Sequence, residues 1–157
     1  MGLCCEKTMC NADVTKRDRW ISLIAVAAVV GMLVSIFSAF AHYDVVSSEV
    51  CTINETFDCD IVNKSSYSEI LGIPVSILGL LAYAVLFVGV LVYDRKRSPK
   101  LLQLLMSLGA AGLLFSLYLT SIEAFVLYTW CLLCLASQAA ILLIVIGLWR
   151  LQKEDAS

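Results

Sequence analysis

The stretch WCLLCLASQAAILLIVIGLW, residues 130–149, contains no charged residue over twenty positions. A helix of about 20 apolar residues crosses the hydrocarbon layer of a bilayer, so this segment predicts a membrane span. Its first turn carries Cys131-Leu-Leu-Cys134, a dithiol spacing that in soluble domains trades electrons with other thiols. At the polar boundary of a span, the same pair is also within reach of a lipid-dissolved electron acceptor, for which a quinone is the natural candidate.

Working outward, three further uncharged stretches have spanning length: Trp20–Ala41, Ile70–Val92 and Leu101–Ile122. The fourth is placed at Ala124–Trp149, with only Glu123 dividing it from the third, so residues 125–130 must contain the turn. A chain of 157 residues that is 61% hydrophobic and 15% charged cannot be an ordinary soluble globule. The expected fold is an all-α integral membrane protein: one four-transmembrane-helix bundle, residues 20–150, with a long exterior loop at 43–73 between helices 1 and 2. Tails are expected at 1–19 and 151–157. Trp20–Ala41 is longer than the roughly 7–15 residue core of a cleaved signal peptide, and is therefore taken as a retained span. Gly109 and Gly112 in the third stretch suit close helix packing. Pro74, near the start of the second, stands where a missing N–H costs least.

Orientation follows the distribution of Lys and Arg, which concentrate in cytoplasmic segments near helix ends. Lys7, Lys16, Arg17 and Arg19 precede the first span, Arg95, Lys96, Arg97 and Lys100 join the second to the third, and Arg150 and Lys153 follow the fourth. The 43–73 loop has Lys64 alone against Asp44, Glu49, Glu55, Asp58, Asp60 and Glu69. Both termini are thus expected in the cytoplasm, with Cys51, Cys59, Cys131 and Cys134 on the oxidising exterior face. The net charge of −2 hides this asymmetry and says little about partners.

Two cysteine pairs on one face suggest a relay, because disulfide exchange proceeds by thiolate attack on a neighbouring disulfide sulfur. Cys131, near the N-terminus of the last helix, is where exposed N–H groups and the helix dipole favour a thiolate. A stapling role suits Cys51 and Cys59 about as well. It suits Cys131 and Cys134 poorly, since bridging positions i and i+3 of a helix removes little chain entropy. With no histidine nearby, no metal is expected at the four cysteines.

The residues carry a resemblance as well. Cys51, the run Cys59-Asp-Ile-Val-Asn-Lys-Ser65-Ser66, Gly72-Ile-Pro74 and Phe125-Val-Leu-Tyr128-Thr-Trp130-Cys131-Leu-Leu-Cys134 resemble the vitamin K epoxide reductase family, in particular its bacterial members, over about residues 20 to 150. The resemblance implies a bundle around a quinone, ubiquinone or menaquinone, capped by the exterior loop. It also implies roles: Cys51 exchanges with a thioredoxin-like protein, Cys59 carries the exchange to Cys131, and Cys134 reacts with quinone, with Ser65 near the ring. Many bacterial relatives carry a fused thioredoxin-like domain, so here the partner is expected to be a separate protein. The expected activity is that of a quinone-dependent thiol oxidase in a bacterial inner membrane, driving disulfide formation outside the cytoplasm. Ser137-Gln138-Ala139 stands where vertebrate members have Thr-Tyr-Ala, which counts against epoxide reduction. A four-span scaffold with structural disulfides is the alternative from another class.

Other residues are more ambiguous. Phe125, Tyr128 and Trp130 are candidates to line a quinone pocket, although aromatic belts at membrane interfaces account for many such residues. His42, the single histidine, and Glu123 are read mainly as interfacial polar groups. Cys4, Cys5 and Cys10 fall on the cytoplasmic side, outside the relay, in a tail expected to be disordered or weakly metal-binding.

Overall fold

The computed structural model describes residues 3–43, 69–70, 72–128 and 130–155. Its elements are α1 (Leu3–His42), β1 (Glu69–Ile70), β2 (Ile73–Pro74), α2 (Val75–Lys96), α3 (Pro99–Ile122), a π-helical turn (Glu123–Leu127) and α4 (Leu132–Asp155). Four helical segments, Lys16–His42, Val75–Lys96, Pro99–Val126 and Leu132–Asp155, are long and apolar enough to cross a membrane. The protein is an all-α integral membrane protein of four spanning helices. Most of the 43–73 loop, with Cys51, Cys59 and Ser65, lies outside the described residues.

Helix boundaries depart from the expected ones in three places. Ile70 does not open the second span. It pairs with Ile73, and Glu69 with Pro74, in an antiparallel hairpin. Gly72 adopts φ +78° in that turn, a left-handed conformation natural to glycine, and a residue before proline avoids the helical region. Pro74 therefore caps α2 from outside. The fourth span begins at Leu132 rather than Ala124, because α3 continues into the π-helical turn and stops at Tyr128, whose φ is +52° and whose N–H bonds back to the Glu123 carbonyl. At the other end, α1 is helical from Leu3, where a tail was expected. The side chains of Cys4, Cys5 and Cys10 are outside the description.

Each helix packs against its two neighbours in a ring, α1 between α2 and α4, and α3 between the same two. The outward faces are apolar: Val26, Leu33, Leu81, Val88, Leu104 and Leu114 are all exposed, as a lipid-facing surface requires. Lipid is as apolar as leucine, so association rests on close packing. Ile24, Val90, Ile144 and Leu151 are fully buried, all in the half of the bundle that holds the α1 N-terminal end and the α4 C-terminal end. A Cβ added to Gly147 would stand 2.6 Å from Ile24 Cγ1, so α4 approaches α1 only because this residue has no side chain. Gly109 and Gly112 also face α4, less tightly, where a Cβ would stand 3.3 Å from Val145 Cγ2 and 3.5 Å from Ile141 Cδ1 respectively.

That same end is closed by polar contacts. Lys16 Nζ lies 3.2 Å from Glu154 Oε1 and Arg17 3.6 Å from Asp155 Oδ1, while the Tyr93 hydroxyl donates to Asp155 Oδ2. The Arg150 guanidinium stands over Trp20 at 5.8 Å and Trp149 at 5.6 Å, a cation–π arrangement. The basic residues that were read as cytoplasmic thus knit α1, α2 and α4 together.

Candidate functional site

The opposite half of the bundle is hollow. A cavity of about 420 Å³ lies among all four helices, within the range of small-ligand pockets. Small residues make the space: Ser35 and Ser38 on α1, Ser76 and Gly79 on α2, Gly112 and Ser116 on α3. In the tight half, the corresponding layers hold Ile, Leu and Val. The walls are mainly apolar, with a few polar groups at the mouth and floor, the pattern that binds an apolar molecule in a fixed orientation.

Cys134 lines this cavity. Cys131 does not; it is completely buried one turn earlier, in the position just before α4. Its Sγ accepts the Cys134 backbone N–H at 3.4 Å and its carbonyl accepts Leu135 N–H at 3.0 Å. The first is an N-terminal capping contact made by a sulfur, since the first N–H groups of a helix have no partner within it, and the second is the first intrahelical bond, accepted by the cap residue's carbonyl. Cys134 is a free thiol. The hydrogen bond from the Cys134 side chain draws the Cys131 thiol below its ordinary value, against the opposing effect of burial. A lowered thiol is more often thiolate, the form that attacks a disulfide.

Glu123 lies beneath this turn. The interfacial solvation expected for it is overturned, since it is only 2% exposed. The start of the π-helical turn carries it inward, and Glu123 Oε2 accepts the Cys131 N–H at 3.1 Å. π-turns of this kind are frequent at functional sites. Glu123 also lines the cavity, as does His42 at the mouth.

The floor of the cavity is Tyr83. Its hydroxyl donates to the Ser137 carbonyl at 2.7 Å and lies 2.9 Å from Ser137 Oγ. Beside it, Thr120 Oγ1 and Gln138 Oε1 are 2.8 Å apart, linking α3 to α4. The departure motif Ser137-Gln138 is therefore engaged on both sides.

Of the residues proposed from sequence for the quinone pocket, Phe125 and Tyr128 are each 77% exposed and, like Trp130, are not among those lining the cavity. Cys51, Cys59 and Ser65 lie outside the described residues. Sequence reasoning missed Tyr83, Ser35 and Ser38. The available signal was polar residues inside otherwise apolar spans, which generally face the bundle interior.

Comparison with curated proteins gave no match. A family model, described as the vitamin K epoxide reductase family, matches residues 22–149. Since that match takes in every residue lining the cavity and both cysteines beside it, the chain belongs to the vitamin K epoxide reductase family, and is an oxidoreductase with a quinone-linked redox role.

Proposed function

We propose that the protein is a quinone-dependent thiol oxidase that recharges a separate thioredoxin-like protein and so drives disulfide formation outside the cytoplasm. The observation that carries this reading is the division of labour at the CxxC. Cys134 faces an apolar cavity of ligand size, while Cys131, with a lowered thiol, occupies the helix cap next to it.

Reducing equivalents enter from a partner dithiol through Cys51 and Cys59 in the exterior loop and pass to Cys131 and Cys134 by thiol–disulfide exchange. The reduced inner pair then gives two electrons and two protons to a quinone in the cavity, leaving a Cys131–Cys134 disulfide and a quinol. Protein residues supply the placing: apolar walls hold the ring and tail, and the capped turn holds the sulfurs. In this reading the Lys- and Arg-rich end faces the cytoplasm, as the usual distribution of basic residues favours, and the cavity opens toward the exterior side of a bacterial inner membrane.

The test is anaerobic quinone reduction by purified protein, with a reduced thioredoxin-like dithiol protein as donor and ubiquinone and menaquinone analogues as acceptors. Turnover by wild type that vanishes in both Cys131→Ser and Cys134→Ser supports the reading. No turnover by the intact wild type with either acceptor overturns it in favour of a scaffold.

A further inference from the structure

A carboxyl in an apolar bundle is costly unless it is paired or used, and Glu123 is nearly completely buried at the boundary between cysteines and cavity. Its backbone is fixed: the Glu123 N–H is shared between the Leu119 and Thr120 carbonyls as α3 passes into the π-helical turn. Only one of its two oxygens is occupied by the main chain, Oε2, through the Cys131 N–H. Cys134 lines the same cavity as this carboxyl, and its own N–H is held by Cys131 Sγ in the turn that the carboxyl caps. Oε1 is buried without a hydrogen-bond partner among the described residues, on a side chain that lines the cavity. Capping the CxxC turn would need one acceptor oxygen and no ionisable group, so an amide would serve equally well. The second oxygen has no such structural use.

We infer that Glu123 carries a proton between the Cys134 thiol and the quinone oxygen, an assignment that rests on the thiol-oxidase reading above. The Cys134 S–H proton passes to the Glu123 carboxylate. As the electron pair leaves the sulfurs and the Cys131–Cys134 bond forms, the Glu123 carboxylic acid gives that proton to one quinone oxygen and returns to carboxylate. The proton that Cys131 lost on becoming thiolate is released to solvent, and one is taken up at the other quinone oxygen. Two thiols and a quinone thus become a disulfide and a quinol, with Glu123 unchanged. The remaining titratable groups around the cavity are His42 on α1 and Tyr83 on α2.

The test compares full-length wild type, Glu123→Gln and Glu123→Asp in single-turnover experiments that separate oxidation of the donor dithiol from reduction of a ubiquinone or menaquinone analogue. Glutamine keeps an oxygen to accept the Cys131 N–H but cannot carry a proton. The expected result is a quinone step slowed about 100-fold or more in Glu123→Gln, the usual scale of lost acid–base catalysis. Donor oxidation should stay within about twofold, and Glu123→Asp, which retains a carboxyl, should recover part of the quinone rate. A Glu123→Gln protein that reduces quinone within about threefold of wild type overturns the assignment and leaves the residue a cap. Parallel loss of both steps overturns it as well, since that is the signature of a displaced CxxC. A wild type that reduces no quinone removes the underlying reading, an outcome visible before any variant is made.

Discussion

The Tyr83 hydroxyl on α2 donates to the main-chain carbonyl of Ser137 on α4 at 2.7 Å, crossing the bundle at the level where the packed half ends and the cavity begins. Tyr83 is itself 4% exposed, so the bond is made in a low-dielectric setting. Its ring lies against Gly31 of α1. One residue thus connects three helices and forms the floor beneath Cys134.

Tyr83→Phe removes this bond and keeps the ring. A buried neutral hydrogen bond is worth about 1 kcal/mol net, so thermal unfolding in detergent should report a loss of that order. The Ser137 carbonyl can still serve its own helix, which keeps the effect small.

Gly31→Ala should be more damaging than its size suggests. A Cβ at this position would lie 2.5–2.6 Å from the Tyr83 ring, a separation that forces movement, and overpacking of this kind costs about 1–3 kcal/mol. Combining Gly31→Ala with Tyr83→Leu should cost less than the sum of the two single changes. Strict additivity in the unfolding free energies would show that the ring is not what the alanine meets.

The pH dependence of thiol exchange tests the Cys131 environment. Its thiol is lowered chiefly by the Cys134 side-chain hydrogen bond. The rate of Cys131 exchange with a small disulfide should therefore climb with pH and level off below the ordinary cysteine value of about 8.5. Cys134→Ala removes the principal cause, so the inflection should move to higher pH and the thiolate fraction at neutral pH should fall. Stopped-flow measurements in a background with Cys4, Cys5, Cys10, Cys51 and Cys59 all replaced by Ser isolate the reaction, and an unmoved inflection would contradict the assignment.

At the Lys- and Arg-rich end, the two acidic residues of α4 should behave differently. Asp155 takes both Arg17 and the hydroxyl of fully buried Tyr93, and loss of a hydrogen bond to a charged group costs roughly 1.5–3 kcal/mol. Glu154 meets Lys16, whose side chain is 60% exposed, and such surface pairs contribute about 0–1 kcal/mol. Asp155→Ala should accordingly destabilise more than Glu154→Ala, which thermal unfolding of the two variants would check.

The sequence by itself determined the class and the number of spans, and it predicts the polarity of the bundle. These depend on runs of apolar residues long enough to cross a bilayer and on where Lys and Arg interrupt them, both of which are properties of the chain read in order. It also placed Cys131 and Cys134 at the head of the last helix. What only the tertiary structure decided is which polar residues meet. Glu123 reads as interfacial because it is the one charge between two apolar runs, yet the π-helical turn, invisible to hydropathy, carries it under the Cys131 amide. Ile70 reads as helix because it is apolar, but Gly72 and Pro74 commit it to a hairpin through backbone conformation. Phe125 and Tyr128 read as pocket residues from their nearness to the CxxC in sequence, whereas the cavity is lined by Ser35, Tyr83 and Gly112, which come from three different helices. Sequence distance fixes what a residue is next to along one helix. The cavity exists between helices, where the packing of small against large side chains sets which faces come together.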